Sequence, residues 1–115
     1  MIDWNTIQST KQIDRILERS KSIPCLIFKH STTCPISSMA KYRLEGDWSF
    51  SKEELEPYYL DLLSFRNISN QIAETFEVHH ESPQVLVIRN GHCVYDASHL
   101  GITVDELKEC YQDTF

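Results

Sequence analysis

The chain has 115 residues, of which 41% are hydrophobic, 24% charged and 10% aromatic, a make-up that predicts one globular domain over 1–115. Eleven basic against seventeen acidic residues leave a net charge of −6, and no Lys/Arg cluster stands on an aromatic-rich face, which sets nucleic acid and anionic membrane aside as partners. Three scattered glycines cannot build a phosphate-cradling loop, and no leader-like or membrane-spanning apolar run occurs, so the expected location is cytoplasmic.

Ser9 followed by Gln12 is a capping-box signal, and Ile13, Ile16 and Leu17 recur at helical spacing, which predicts a helix over 10–21 that stops before Pro24. Cys25-Leu26-Ile27-Phe28 is a short, continuously apolar run that suits a strand buried on both faces. Pro35 opens a second helix through Met39, Ala40 and Tyr42, fading near Gly46-Asp47. The stretch 47–54 is open between loop and short helix, since Trp48 and Phe50 call for burial while Ser51 and Glu54 again form a capping-box pair.

Pro57 to Leu63 has the aromatic and apolar content of a second strand, and Ile68, Ile72, Ala73 and Phe76 mark a third helix from Asn67 onward. Val85-Leu86-Val87-Ile88, then Asn90-Gly91, then His92-Cys93-Val94-Tyr95 predicts a hairpin closed by a type I′ turn. Thr103 with Glu106 opens a last helix carrying Val104, Leu107, Cys110 and Tyr111 on one stripe. The order α-β-α-β-α-β-β-α resembles the thioredoxin-like arrangement, an α/β/α fold on a mixed four-stranded sheet. Its chemistry would lie in the loop after Phe28, at the carboxyl end of a central strand.

That loop holds Thr33-Cys34-Pro35-Ile36-Ser37, a cysteine at the mouth of a proline-started helix. Unpaired amides and the helix dipole favour a thiolate there, whereas an ordinary thiol is only roughly 3% ionised at pH 7. Ser37, one turn on, stands where a dithiol enzyme would carry a second sulfur; its hydroxyl is expected to donate to the thiolate. Strand alternation allows only one of Lys29 and His30 to face this site, and His30 is favoured. His79 and His80 read as exposed loop residues. Cys25, Cys93 and Cys110 read as small hydrophobes of the core. The cysteine and histidine spacings do not suit a metal, so none is expected.

Phe28-Lys29-His30-Ser31-Thr32-Thr33-Cys34-Pro35-Ile36-Ser37, with His80-Glu81-Ser82-Pro83-Gln84 and the later Ser98-His99 and Ile102-Thr103, resembles the monothiol bacilliredoxin family over nearly the whole chain. The resemblance implies removal of bacillithiol from protein mixed disulfides, with Cys34 as nucleophile and a second bacillithiol as resolving thiol. Bacillithiol would be a co-substrate, with no bound cofactor, and the protein a monomer. Thr33, Pro35, Ser37 and His30 would border the substrate. Pro83 would be a cis-proline, with the Ser82 backbone meeting the substrate as a short added strand. The chain departs from the family pattern around Trp48 to Glu54 and in Cys93 and Cys110, so the resolving thiol stays open. Two other readings of the same residues stand beside this one: an iron–sulfur carrier holding a cluster on Cys34 of two chains, and a redox-inactive interaction module.

Overall fold

The computed structural model describes residues 2–113. Five strands form one sheet: β1 (Asn5–Thr6), β2 (Cys25–His30), β3 (Glu56–Asp61), β4 (Gln84–Arg89) and β5 (His92–Ser98), in the spatial order β1-β3-β2-β4-β5. The first three run parallel, and β4 and β5 are antiparallel. The four-stranded expectation is therefore corrected by one edge strand. β1 is two exposed residues long and has no alternation to announce it. It is held by the Ile7 amide donating to the Tyr59 carbonyl at 2.8 Å and by Asn5 Nδ2 donating to the Pro57 carbonyl at 3.0 Å.

Four helices cover the two faces: α1 (Lys11–Arg19), α2 (Pro35–Asp47), α3 (Arg66–Phe76) and α4 (Val104–Asp113). Ile13 and Ile16 of α1 with Ile68, Ile72 and Phe76 of α3 bury one face against Cys25, Ile27, Leu60 and Leu86. Ala40 and Leu44 of α2 with Val104 and Leu107 of α4 bury the other against Leu26, Phe28, Val85 and Val87. β2 is sandwiched between the two layers and every one of its residues is buried, which is why its sequence is apolar without alternation.

Helix starts follow their local chemistry. The Ser9 amide donates to Gln12 Oε1 at 3.1 Å before α1, and the Glu106 amide donates to Thr103 Oγ1 at 3.2 Å in α4. Of the open stretch 47–54, Asp47 is the last residue of α2 and 48–54 is loop: the Ser51 amide still donates to Glu54 Oε1 at 2.9 Å, but Glu56 enters β3 before a helix can propagate. β3 ends at Asp61 rather than Leu63, because the Phe65 amide turns back onto the Asp61 carbonyl at 3.1 Å to start α3. A three-residue 3-10 helix, His99–Gly101, joins β5 to α4. No helix among the described residues is long and apolar enough to cross a membrane.

Asn90 and Gly91 close the hairpin with φ of 53° and 78°, as the type I′ turn requires. An Asn tolerates that region and a Gly occupies it without strain. Gly91→Ala is expected to lower stability by about 1–2 kcal/mol through backbone strain alone. A Cβ there would meet only Leu17 Cδ2, at an ordinary 3.8 Å. Urea unfolding of the parent and the variant checks this.

Candidate active site

β2 ends at His30, and the chain turns through Ser31 to Thr33 so that the Cys34 amide donates to the Ser31 carbonyl at 3.2 Å. Cys34 caps α2 in extended conformation (φ −101°, ψ 118°), and its carbonyl accepts the Ser38 amide at 3.0 Å. Pro35 takes the first helical position, where its missing N–H removes nothing from the helix ladder. The thiol is half-buried, Thr33 and Pro35 beside it are exposed, and Ile36 is 43% exposed. The sulfur thus sits at the positive end of a thirteen-residue helix with solvent access.

Ser37 is fully buried, on the same inward side of α2 as Ala40 and Leu44. Its Oγ lies 2.6 Å from His30 Nδ1 and accepts the Ser31 amide at 3.0 Å. This corrects the expectation that the hydroxyl serves the sulfur: it holds the first turn of α2 to the end of β2 and so fixes the loop from which Cys34 projects. His30 is 5% exposed, stacked on Phe28 with ring centres 5.5 Å apart and tilted against Tyr59 at 5.7 Å. Burial, reinforced by the positive charge of Lys41, pushes its pKa below the ordinary 6.5, so the imidazole is neutral at pH 7.

The second segment enters from the neighbouring strand. β4 pairs with β2 with Lys29 opposite Gln84, so the residues just before β4 lie at the His30 end of the sheet. The Ser82–Pro83 peptide is cis, Pro83 is buried, and Ser82 is partly exposed. The Pro83 carbonyl accepts the His99 amide at 3.0 Å, and the Glu81 carboxylate lies 3.7 Å from His99 Nε2. Adjoining strands thereby bring His30, Thr33, Cys34, Pro35 and Ser37 to the same end of the sheet as Ser82 and Pro83.

The remaining cysteines lie elsewhere. Cys25 starts β2 at its opposite end and is fully buried; burial pushes its thiol up to about 12. Cys93 pairs with Ile88, itself opposite Cys25, so it too is at the far end. Its expected place in the core is corrected to half-buried at the core margin, because β5 is an edge strand, although burial still pushes its thiol up to about 11. Cys110 is likewise half-buried rather than core, six residues into α4 and electrostatically coupled to Tyr95.

Three residues outside the expected site stand behind it. Lys29 points to the α3 face, where its Nζ donates to the Ser69 carbonyl at 3.1 Å and lies 3.3 Å from Nδ1 of His80, whose ring is therefore tied down even though the residue is exposed. Gln84 is 1% exposed and bonds to the same loop. The available signal was a Lys and a Gln at the edges of two continuously apolar strands.

A family model described as Monothiol bacilliredoxin BrxC matches residues 5–107. Among solved structures, a provisionally assigned oxidoreductase with a thioredoxin fold is 32% identical with a TM-score of 0.78, covering 90% of this chain and 89% of its own. The thioredoxin of Malassezia sympodialis is 16% identical with a TM-score of 0.71, covering 96% and 90%. That of Fasciola hepatica is 14% identical with a TM-score of 0.70, covering 96% and 99%. The last two likenesses establish the thioredoxin fold.

Ser37→Ala removes the partner of two buried groups, His30 Nδ1 and the Ser31 amide, and is expected to lower stability by about 1–3 kcal/mol. Denaturant unfolding reads that loss, and Ser37→Thr, which keeps the hydroxyl, is expected to recover part of it. In a limited iodoacetamide reaction at pH 8, Cys34 is expected to be modified before Cys25 and Cys93, whose thiols are held at about 12 and about 11. Peptide mass mapping checks the order.

Proposed function

The chain belongs to the monothiol bacilliredoxin family, and from that membership and the geometry around Cys34 we propose that it removes bacillithiol from protein mixed disulfides. Family and fold support a thiol–disulfide oxidoreductase in general. The observation that carries the narrower reading is Cys34 capping α2 with a serine, Ser37, one turn on and turned inward onto His30. A thiol at Cys34 can start an exchange there, and no second sulfur of that motif can finish it.

In the first step the Cys34 thiolate attacks the bacillithiol sulfur of the mixed disulfide. An S–S bond forms between Cys34 and bacillithiol, the original S–S bond breaks, and the client leaves as a thiolate that takes a proton from water. In the second step the thiolate of another bacillithiol attacks the bacillithiol sulfur held on Cys34. Bacillithiol disulfide leaves and the Cys34 thiolate is regenerated. The client sulfur is reduced, two bacillithiols are joined by oxidation, and the enzyme is unchanged. Bacillithiol is accordingly a co-substrate rather than a resident cofactor.

Placement of Cys25 and Cys93 supports an external resolving thiol. Cys25 is five residue steps from His30 along β2, roughly 16 Å at the rise of a strand, and Cys93 lies beside that far end. A disulfide needs Cα atoms about 4.4–6.8 Å apart, so neither can reach Cys34 in the folded chain.

The variant with Cys25, Cys93 and Cys110 all changed to Ala is expected to keep releasing bacillithiol from a client protein when free bacillithiol is supplied, at a rate close to the parent's. Steady-state release of the client thiol measures this. Loss of turnover in the folded variant would reveal an internal resolving thiol and overturn the monothiol reading.

A further inference from the structure

Lys29 is the most unusual core residue of the chain. It is fully buried in the central strand, on the face otherwise filled by Cys25, Ile27 and the apolar side of α3. An ammonium is all donor and no acceptor, and burying one is costly unless hydrogen-bond partners replace the water it loses. Its Nζ donates to the Ser69 carbonyl at 3.1 Å and lies 3.3 Å from His80 Nδ1, which is also 3.2 Å from Ser69 Oγ. Directly across the strand pair stands Gln84, on the same face by alternation with Leu86. Its Nε2 donates to the His79 carbonyl at 3.0 Å, and its Oε1 accepts the Glu81 amide at 3.4 Å.

Two adjoining buried polar side chains thus grip three successive residues, His79, His80 and Glu81, immediately before Ser82-Pro83. Neither touches Cys34 or is needed by the exchange steps above. We propose that Lys29 and Gln84 are positioning residues that clamp the loop 79–82 so that Ser82 can receive the substrate, with His80 making the clamp pH-dependent. The proposal rests on the reading of Cys34 and Ser82 as two sides of one thiol-exchange site.

The pH-dependence follows from the donor count. A charged Lys29 can only donate, so His80 Nδ1 must accept and carry no proton. Burial lowers Lys29 to about 8, and burial together with the Lys29 charge brings His80 below its ordinary 6.5. At neutral pH the pair is an ammonium facing a neutral imidazole. As pH falls through the lowered value of His80, a second cation appears 3.3 Å from the first and the clamp opens. Of the other charges facing His80, Glu81 opposes this, while His79 and Arg66 of α3 add to the repulsion.

The test uses Lys29→Met and His80→Gln, read by hydrogen exchange of the Glu81 amide, which Gln84 holds in the loop, at pH 7 and over a series of falling pH. Alongside it run Cys34 alkylation and the KM and kcat for a bacillithiol-modified client. Lys29→Met is expected to speed loop exchange about tenfold or more, as for loss of one hydrogen bond to a charged group. It should raise KM and leave the alkylation rate of Cys34 unchanged. His80→Gln, whose amide oxygen accepts from Lys29 at every pH, should match the parent at pH 7 and keep its loop protection at the acid pH where the parent loses it. Parental loop exchange in folded Lys29→Met, or an unaltered acid response in His80→Gln, overturns the clamp. Should Lys29→Met not fold, the acid response of His80→Gln decides alone. Exchange needs no turnover, so a parent inactive on the client removes the functional reading while the clamp is judged separately.

Discussion

Strand geometry at the end of β2 governs the site. Successive side chains of a strand point to opposite faces, so the consecutive buried residues Lys29 and His30 are sent to opposite layers of the molecule. His30 meets Ser37 and ties down the helix that carries Cys34. Lys29 meets Ser69 and His80 and ties down the loop that carries Ser82 and Pro83. One strand end thereby anchors two chain segments separated by roughly fifty residues, and a register shift of one residue would exchange the two anchors and misplace both.

These polar anchors survive in an apolar interior because each finds hydrogen-bond partners locally. The ring of His30 lies among Phe28, Tyr59 and, one ring further, Trp4, whose Nε1 donates to Glu45 at 2.9 Å. That aromatic cluster keeps water from His30 Nδ1 and from the Ser37 hydroxyl, which makes their 2.6 Å contact worth more than it would be at the surface. The same burial makes each anchor expensive to leave half-made, so the effects of removing Ser37 or Lys29 should exceed what surface substitutions produce.

Much of this was readable from residue order, for physical reasons that can be named. Helical spacing, capping-box pairs and Pro35 placed the four helices among the described residues; Asn90-Gly91 placed the hairpin because few residues accept positive φ at both turn positions. Cys34-Pro35 after an apolar strand marked the helix mouth, and alternation sent His30 and Lys29 apart. What escaped depended on contacts distant in sequence. β1 exists only through its pairing with Tyr58 and Tyr59, and the hydroxyl of Ser37 could be assigned to His30 only once α2 was packed on β2. The half-burial of Cys93 reflects its place on an edge strand, which local pattern does not encode.

In the proposed function, Cys34 is the one acceptor of bacillithiol and acts without an internal partner. Intact-mass analysis of the reduced protein after exposure to bacillithiol disulfide tests it most directly. The expected result is a single added bacillithiol per chain, mapped to Cys34, reversed by free bacillithiol and absent from Cys34→Ser. An adduct on Cys25, Cys93 or Cys110, or a chain two hydrogens lighter with an intramolecular disulfide and no adduct, would contradict it.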